Sequence, residues 1–572
     1  MPSRSICAMR PGIFRARQRS SCLILSGLCS GTYRLNPVRS RTLPRRKYAT
    51  EIEHTTAIAD PSPGKERVVI LGSGWAGYNL SRRLSSHSFL PIVISPRTYF
   101  VFTPLLTDAA SGSLDFSSII EPVRDPGVQL DFIQAAARSV DLKKKTVLCE
   151  ATVVKSGVTE TPRTHEDERR ETRSKQSTQS HRLWEQGETF EVPYDKLVIA
   201  VGAVSRTFGT PGVRENAMFF KDIGDAKRVK RRLRECFELA VLPTTSAEMR
   251  RWLLHFAIVG AGPTGIELAA SLRDFIHNDI MPLYPALDEI PKISLYDVAP
   301  KVLSMFDESL SRYAMDTMRS EGIDIKTSHH PRSLRWGEPG APGPHEMDPK
   351  RCLTLTTEEE GEVGVGMCVW ATGNAMPRFI RESLSKVDAF PIDSVNSHSP
   401  LLPPNANQSN WEYKKVPRTG ALLVDGHLRV QLKNDAGETA VLQDVFALGD
   451  NAMPQTGAPP ATAQASFQEA KWLAARLNKR DIDQTPPFSF RNLGTLAYIG
   501  NERALMQIPH SSKSGKHGHG RHGLLPEGIT GRAARLVWNM AYITMSISWR
   551  NRFRVAIRWT INKLFGRDVA RF

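Results

Sequence analysis

The chain of 572 residues has no long apolar run, no close cysteine pair and no acid before Glu51. Each absence closes off a class of protein. No uninterrupted apolar stretch approaches the roughly 18 residues a bilayer-spanning helix needs, and Cys22-Leu23-Ile24-Leu25 is far too brief. The seven cysteines include no C-x-x-C spacing, which argues against a zinc ribbon and a disulfide framework. Three of them (Cys7, Cys22, Cys29) lie near the N-terminus, leaving Cys149, Cys236, Cys352 and Cys368. Residues 1–48 hold ten arginines, one lysine and no acid. That is the composition of a mitochondrial presequence and not of a secretory signal, which would carry an apolar core.

The net charge of +17 is concentrated at the two ends. Residues 530–572 hold eight arginines and Lys563 against Asp568 alone, so the long middle of the chain is close to neutral. A basic strip running through a folded body is missing, and nucleic-acid binding is not expected. Arg46-Lys47-Tyr48-Ala49 matches a matrix-protease site cutting after Tyr48.

What the sequence does have is a pair of glycine-rich turns, Gly72-Ser73-Gly74-Trp75-Ala76-Gly77 and Gly260-Ala261-Gly262-Pro263-Thr264-Gly265. Each follows a short apolar run and opens a helix-like stretch. The first glycine permits the tight strand-to-helix turn and the second leaves room for a pyrophosphate against bare backbone. The third lets helix and strand approach closely. Two such turns, at Gly72, Gly74, Gly77 and at Gly260, Gly262, Gly265, predict two dinucleotides in one molecule. The stretch from Arg82 to Arg124 holds no cysteine, so the dithiol of a disulfide reductase is absent after the first turn.

The strand Ile293–Asp297 of the second unit ends in an acid. Asp297 is expected to accept from adenosine ribose hydroxyls and to repel a 2′-phosphate, favouring NADH over NADPH. In the first unit Ile92-Val93-Ile94 runs into Ser95, the candidate for one ribose hydrogen bond there. Tyr194–Val201 reads as a buried strand ending at Gly202. Glu160–Glu188 is almost devoid of apolar residues and reads as a disordered insertion, about residues 157–190. Similar inserts cover Gly337–Lys350 and Ser394–Gln408, and a loop at His510–His522 carries His517, His519 and His522. That tract lacks neighbouring Cys or carboxylate partners, and no metal is expected.

Further blocks carry a family likeness. They are Ile94–Leu106, Phe208-Gly209-Thr210-Pro211-Gly212-Val213, Gly262-Pro263-Thr264-Gly265-Ile266-Glu267, Val369-Trp370-Ala371-Thr372-Gly373-Asn374 and Leu493–Gly500, beside the flavoprotein-like strand Asp444–Asp450 that ends in Gly-Asp. From about Arg67 to the C-terminus, apart from the inserts, the chain resembles the mitochondrial type II (alternative) NADH:ubiquinone oxidoreductases of the fungal kind. The resemblance implies an α/β fold with two Rossmann-like domains of the pyridine nucleotide-disulfide oxidoreductase type. It divides the chain into a presequence (1–48), an FAD-binding domain in two parts (65–215 and 381–529), an NADH-binding domain (216–380) and C-terminal helices (530–572). Gly373 marks the crossover back to the FAD domain, and Asp450 is implied to bond the FAD ribityl chain. Gln464 and Gln468, one helical turn apart, are implied to contact the quinone headgroup, with Ala465-Ser466 between them where relatives usually have Val-Ala. Glu267 is implied beside the nicotinamide–flavin contact; a plain helix acid favoured by the dipole is its alternative. The family often has Glu where this chain has Asp297.

The implied reaction passes a hydride from NADH to non-covalently held FAD, then two electrons to ubiquinone, with no proton pumping. Leu536, Met540, Ile543 and Ile547 form one apolar stripe at helical spacing, and Phe553, Ile557, Ile561 and Leu564 another. Flanked by arginines and by Trp538, Trp549 and Trp559, they predict amphipathic helices lying in the inner-membrane surface. A helix pair packed on the body or at a dimer interface is the alternative, and a homodimer is expected. The matrix face is favoured. Two rival functions remain at this level. A sulfide:quinone oxidoreductase would need Cys352 and Cys368 beside the flavin, and an NADH-sensing flavoprotein of the apoptosis-factor type would reduce quinone poorly.

Overall fold

The apolar runs beside the two glycine turns become the central strands of two parallel sheets. The computed structural model describes residues 64–152, 187–287, 290–342, 347–348, 350–395, 410–455, 457–508, 528–545, 548–567 and 569. Expectations for the presequence, most of the insert after Thr152, Ile547 and the histidine-rich loop fall outside these residues.

In the first sheet Glu66–Leu71 pairs in parallel with Phe89–Ile94 and with Lys196–Ile199. Asp131–Ile133 extends one side and Thr439–Ala447 the other, again in parallel. Thr439–Ala447 comes from far along the chain, so the polypeptide leaves this sheet and returns to it. The second sheet is built in that interval. It runs Met218–Phe219, Met367–Trp370, His255–Val259, Lys292–Asp297, Ile323–Thr327, every neighbouring pair parallel. Val68, Val69 and Ile70 in one sheet and Phe256, Ala257 and Ile258 in the other have no exposed surface. Parallel strands covered on both faces require such unbroken apolar runs.

Each glycine turn opens a helix, Trp75–Ser81 in the first unit and Pro263–Phe275 in the second. Each unit also carries a three-stranded antiparallel meander: Ala135–Asp141, Thr146–Ala151 and Thr189–Pro193 in one, Pro331–Trp336, Leu353–Thr357 and Gly361–Val365 in the other. The expected insert is therefore shorter at its far end, because Thr189 and Phe190 pair with Glu150 and Cys149 as part of a strand. Where the chain passes between the units, Val204–Ser205 pairs with Asn374–Ala375.

The strands Thr495–Gly500, Arg503–Gln507 and Gly528–Thr530 form a separate antiparallel sheet. It packs against Pro263–Phe275 and against the helix Gly531–Met545, so the boundary expected at 530 falls inside this unit. A last helix, Trp549–Phe565, follows. Most described members of the two apolar stripes are exposed, Leu536 at 62%, Met540 at 60%, Phe553 at 63% and Leu564 at 70%, while Ile543 packs partly buried against the core. The opposite faces are buried through Ala534, Trp538, Tyr542 and Val555. The three tryptophans were expected together at a lipid interface, and here the structure differs. Trp538 is fully buried and stacks edge-on to Tyr542, Trp559 packs against the core, and Trp549 alone stands exposed. Helical periodicity marks a face but not which of two apolar faces the body covers.

Polar contacts seat the last helix. The Asn551 side-chain amide donates to the Glu121 carboxylate and to the Ile120 carbonyl, and that of Asn562 donates to the Ser113 carbonyl at 2.6 Å. Trp538→Ala empties the centre of this seat and is expected to cost about 3–5 kcal/mol. Chemical denaturation followed by tryptophan fluorescence and circular dichroism measures that loss.

Candidate active site

A groove of about 3120 Å³ opens along the C-terminal ends of the first sheet's strands and reaches into the second unit. This is where a doubly wound sheet places its ligands, at the carboxyl ends of parallel strands. Leu71, Ile94, Val201 and Leu448 mark those strand ends on its wall.

The two glycine turns have the same construction. Gly72 and Gly260 sit at φ of 108° and 112°, a region that favours glycine. A Cβ on Gly77 would lie 2.0 Å from the Gly72 carbonyl oxygen, and one on Gly265 would lie 1.8 Å from that of Gly260. The middle glycines, Gly74 and Gly262, face open space within 4 Å. Gly74 lines the groove, as does Gly202, whose absent Cβ also meets nothing. Bare backbone facing an open cleft at a helix start fits a dinucleotide diphosphate.

Asp450 closes this end of the groove. Burial pushes its carboxyl above the ordinary aspartate range while the Lys221 ammonium pulls it back. Lys221 also lines the groove and donates to the Asn374 side-chain carbonyl at 2.6 Å. It thereby anchors the Ala-Thr-Gly segment, while its charge acts on Asp450. The Asn451 side chain accepts from the Gly202 N–H and donates to the Ile199 carbonyl, both at 2.9 Å. Glu469 accepts from the Gly449 N–H at 2.6 Å, and burial lifts its carboxyl to about 7. Sequence reasoning missed these three supports. Only Asn451 carried a signal, its place directly after Gly-Asp.

Glu267 reaches the groove from the fifth position of Pro263–Phe275. It is only 7% exposed. Its carboxylate accepts from the Tyr498 N–H at 3.1 Å. Desolvation raises it to about 8, with the nearby Asp108 adding to the rise, while the Tyr498 N–H, Trp538 and Arg535 oppose it. The side chain is consequently a neutral acid at pH 7. Gln464 and Gln468 line the groove together on Ala463–Lys479. Both carboxamides are already engaged. Gln464 accepts from the Leu493 N–H and Gln468 accepts from and donates to the Arg491 backbone, at 3.0 and 2.8 Å. They clamp the segment 491–494 to the helix and make one wall.

Other expected residues stand apart from the groove. Ser95 is 3% exposed, pairs with the Ser73 hydroxyl at 2.9 Å and accepts from the Arg97 N–H. Its hydroxyl is turned inward, and Pro96 and Arg97 line the groove in its place. Gly77, Gly260, Gly262, Gly265 and Asp297 do not line it either. Asp297 accepts from the Ala261 N–H at 2.5 Å and from the Ala299 N–H at 2.8 Å. It holds the second glycine turn in shape at the edge of the second sheet, while Gly373 lies in the groove between the units. Cys352 and Cys368 are buried in the second unit and neither lines the groove, which removes the feature a sulfide:quinone oxidoreductase would need.

Residues 66–386 match the family model described as pyridine nucleotide-disulphide oxidoreductase, and residues 492–568 match the NDH2 C-terminal domain. The chain belongs to the NDH2 branch of that family. A probable NADH dehydrogenase of Dictyostelium discoideum is 32% identical over 89% of this chain and 91% of its own length. The external alternative NADH-ubiquinone oxidoreductase of Yarrowia lipolytica is 30% identical, over 90% of this chain and 81% of its own length. The solved structure of NDH2 from Plasmodium falciparum in complex with NADH shares the fold, with a TM-score of 0.66 at 22% identity, covering 89% of this NDH2-family chain and 100% of that one.

The titration of Glu267 makes a stability prediction for this NDH2 protein. The folded carboxyl binds its proton up to about pH 8 and the unfolded one only to about 4.5. Stability contributed by the neutral form is present below 4.5 and is lost as pH rises through 8. Glu267→Gln, which stays neutral and keeps an acceptor for Tyr498, is expected to melt closer to wild type at pH 5 than at pH 8, where it should be the more stable. Thermal melts at the two pH values decide this.

Proposed function

We propose that this NDH2 protein works at the mitochondrial inner membrane, where NADH and ubiquinone meet one FAD in the groove. The protein oxidises NADH and reduces ubiquinone through non-covalently held FAD. The observation that carries this reading is the shared groove. One glycine turn opens on it, Glu267 of the second unit projects into it, and Gln464 and Gln468 border it. Bound FAD would supply the two-electron relay between donor and acceptor.

The residues around it have these parts. Gly72, Gly74 and Gly77 shape the turn that receives the FAD diphosphate, and Asp450 bonds the ribityl chain. Gly260, Gly262 and Gly265 receive the NADH diphosphate. Asp297 presents a negative charge beside the adenosine ribose, which disfavours a 2′-phosphate. Gln464 and Gln468 form the quinone headgroup wall, and Glu267 holds the proton that a reduced quinone oxygen takes up. The general acid for that step must be neutral near pH 7 and within reach of the acceptor.

The C-terminal helices are proposed to lie in the membrane surface. Trp549, Phe553, Ile557 and Leu564 make an exposed apolar face beside Arg550, Arg552 and Arg554. Apolar insertion flanked by arginines suits an anionic lipid surface. Among the described residues no helix is long and apolar enough to cross a membrane. The expected homodimer is tested by light scattering in detergent, which counts the copies. The basic leader with its Arg46–Ala49 site favours the matrix face; protease protection in mitoplasts distinguishes it from the external face named for the Yarrowia relative.

Anaerobic NADH is expected to bleach the flavin band of the purified protein, and a short-chain ubiquinone to restore it. NADPH should act at least about tenfold less effectively, the order of discrimination one repelled charge provides. Equal bleaching by both donors would remove the role given to Asp297. Replacing Phe553 and Leu564 by Glu should weaken binding to anionic vesicles at least about tenfold. NADH oxidation with a water-soluble acceptor should be unaffected.

A further inference from the structure

NADH brings two electrons and one proton to the site, whereas a quinone becoming a quinol takes up two electrons and two protons. One proton per turnover therefore comes through the protein, and Glu267, once it has given its own, must be refilled. Asp108 is placed to do this. It is 2% exposed and sits on the short helix Leu106–Ala110, which packs against the helix of Glu267. Its neighbours Leu106 and Thr107 form groove wall.

The charges facing the two acids come from every packed element. Trp559 of the last helix donates its indole N–H to the Asp108 carboxyl at 3.1 Å. The helix Gly531–Met545 contributes Arg535, Trp538 and Tyr542, and the field of Arg535 reaches both carboxyls. Asp274 and Arg567 face Asp108 from further off. Asp274 already accepts from the Tyr498 hydroxyl at 2.5 Å and from the Asn501 N–H, beside Arg273 at 3.4 Å. Arg567 is held by Asp279 at 3.6 Å. Arg535, lying 4.1 Å over the rings of Tyr498 and Trp538, is left to serve both Glu267 and Asp108. Each buried carboxyl disfavours the ionisation of the other, and they titrate as a pair.

We propose that Asp108 is the proton reservoir of Glu267, the buried acid through which Glu267 is refilled from solvent. This rests on the reading of Glu267 as the acid for the quinone. The Glu267 O–H bond breaks as the quinol O–H bond forms. The Asp108 carboxylate then takes a proton from solvent, and this new Asp108 O–H bond breaks as that of Glu267 re-forms. No electrons move in these transfers.

The test uses the full-length holoenzyme. Asp108→Asn keeps the volume and an acceptor for Trp559 but yields no proton. Flavin reduction by NADH should be unchanged, while reoxidation by a short-chain ubiquinone slows about tenfold, the lower part of the usual range for a lost proton-transfer group. The pH midpoint of reoxidation should fall by about one unit, because ionised Asp108 no longer holds Glu267 high. Infrared difference spectra should lose a protonated-carboxyl C=O component. An unchanged midpoint and an unchanged carboxyl band would overturn the proposal. If Glu267→Gln itself leaves reoxidation unaltered, the underlying reading fails instead. Should Asp108→Asn not fold, Trp559→Phe removes the donor that steadies ionised Asp108. An upward shift of the midpoint then supports the reservoir, and no shift sinks it.

Discussion

A helix can begin on the end of a buried strand only where two backbones touch, and that contact governs this molecule twice. At Gly77 and Gly265 a single methyl would drive into the carbonyl oxygen of the turn's first glycine. The contact fixes the helix axis, and the axis leaves the middle glycine of each turn facing open space. In the second unit the same axis carries Glu267 four residues past the start of its helix and into the interior. Ligand cradle and buried acid are thus products of one close approach.

Features written in consecutive residues were legible before any coordinates. Both glycine turns and the parallel strands beside them depend on local spacing and unbroken apolar runs, and they lie where the pattern puts them. The pair Gln464 and Gln468 also shares the groove, since a four-residue interval on a helix leaves little choice of face. Ser95 was harder. Its position after the second strand was readable, but whether its hydroxyl points to the groove or to Ser73 depends on the turn at Arg97. Trp538 shows a similar limit, because both sides of its helix are apolar and sequence periodicity favours neither.

The least legible part is the polar interior around Glu267. Its environment is made by Tyr498, Arg535, Trp538 and Asp108, which come from both sides of the sequence and meet only when the C-terminal sheet closes over the second unit. Desolvation acts through that closure, so no window around Glu267 contains the information. Lys221 is alike. It lies in a charge-balanced stretch before the helix Ile223–Ala240, and Asn374 and Asp450, which act on it, come from distant segments. Here tertiary packing converts ordinary surface residue types into groups with unusual proton affinities.

The seating of the last helix has a wider bearing. Its exposed apolar side is backed by pegs that enter the body, with Asn551 on Glu121, Asn562 on the Ser113 carbonyl and Trp559 on Asp108. Lifting it off would strand those acids without their donors and let water into the catalytic interior. The last helix is therefore a keel built into the hull and not a removable float: it cannot be taken away without opening the body behind it.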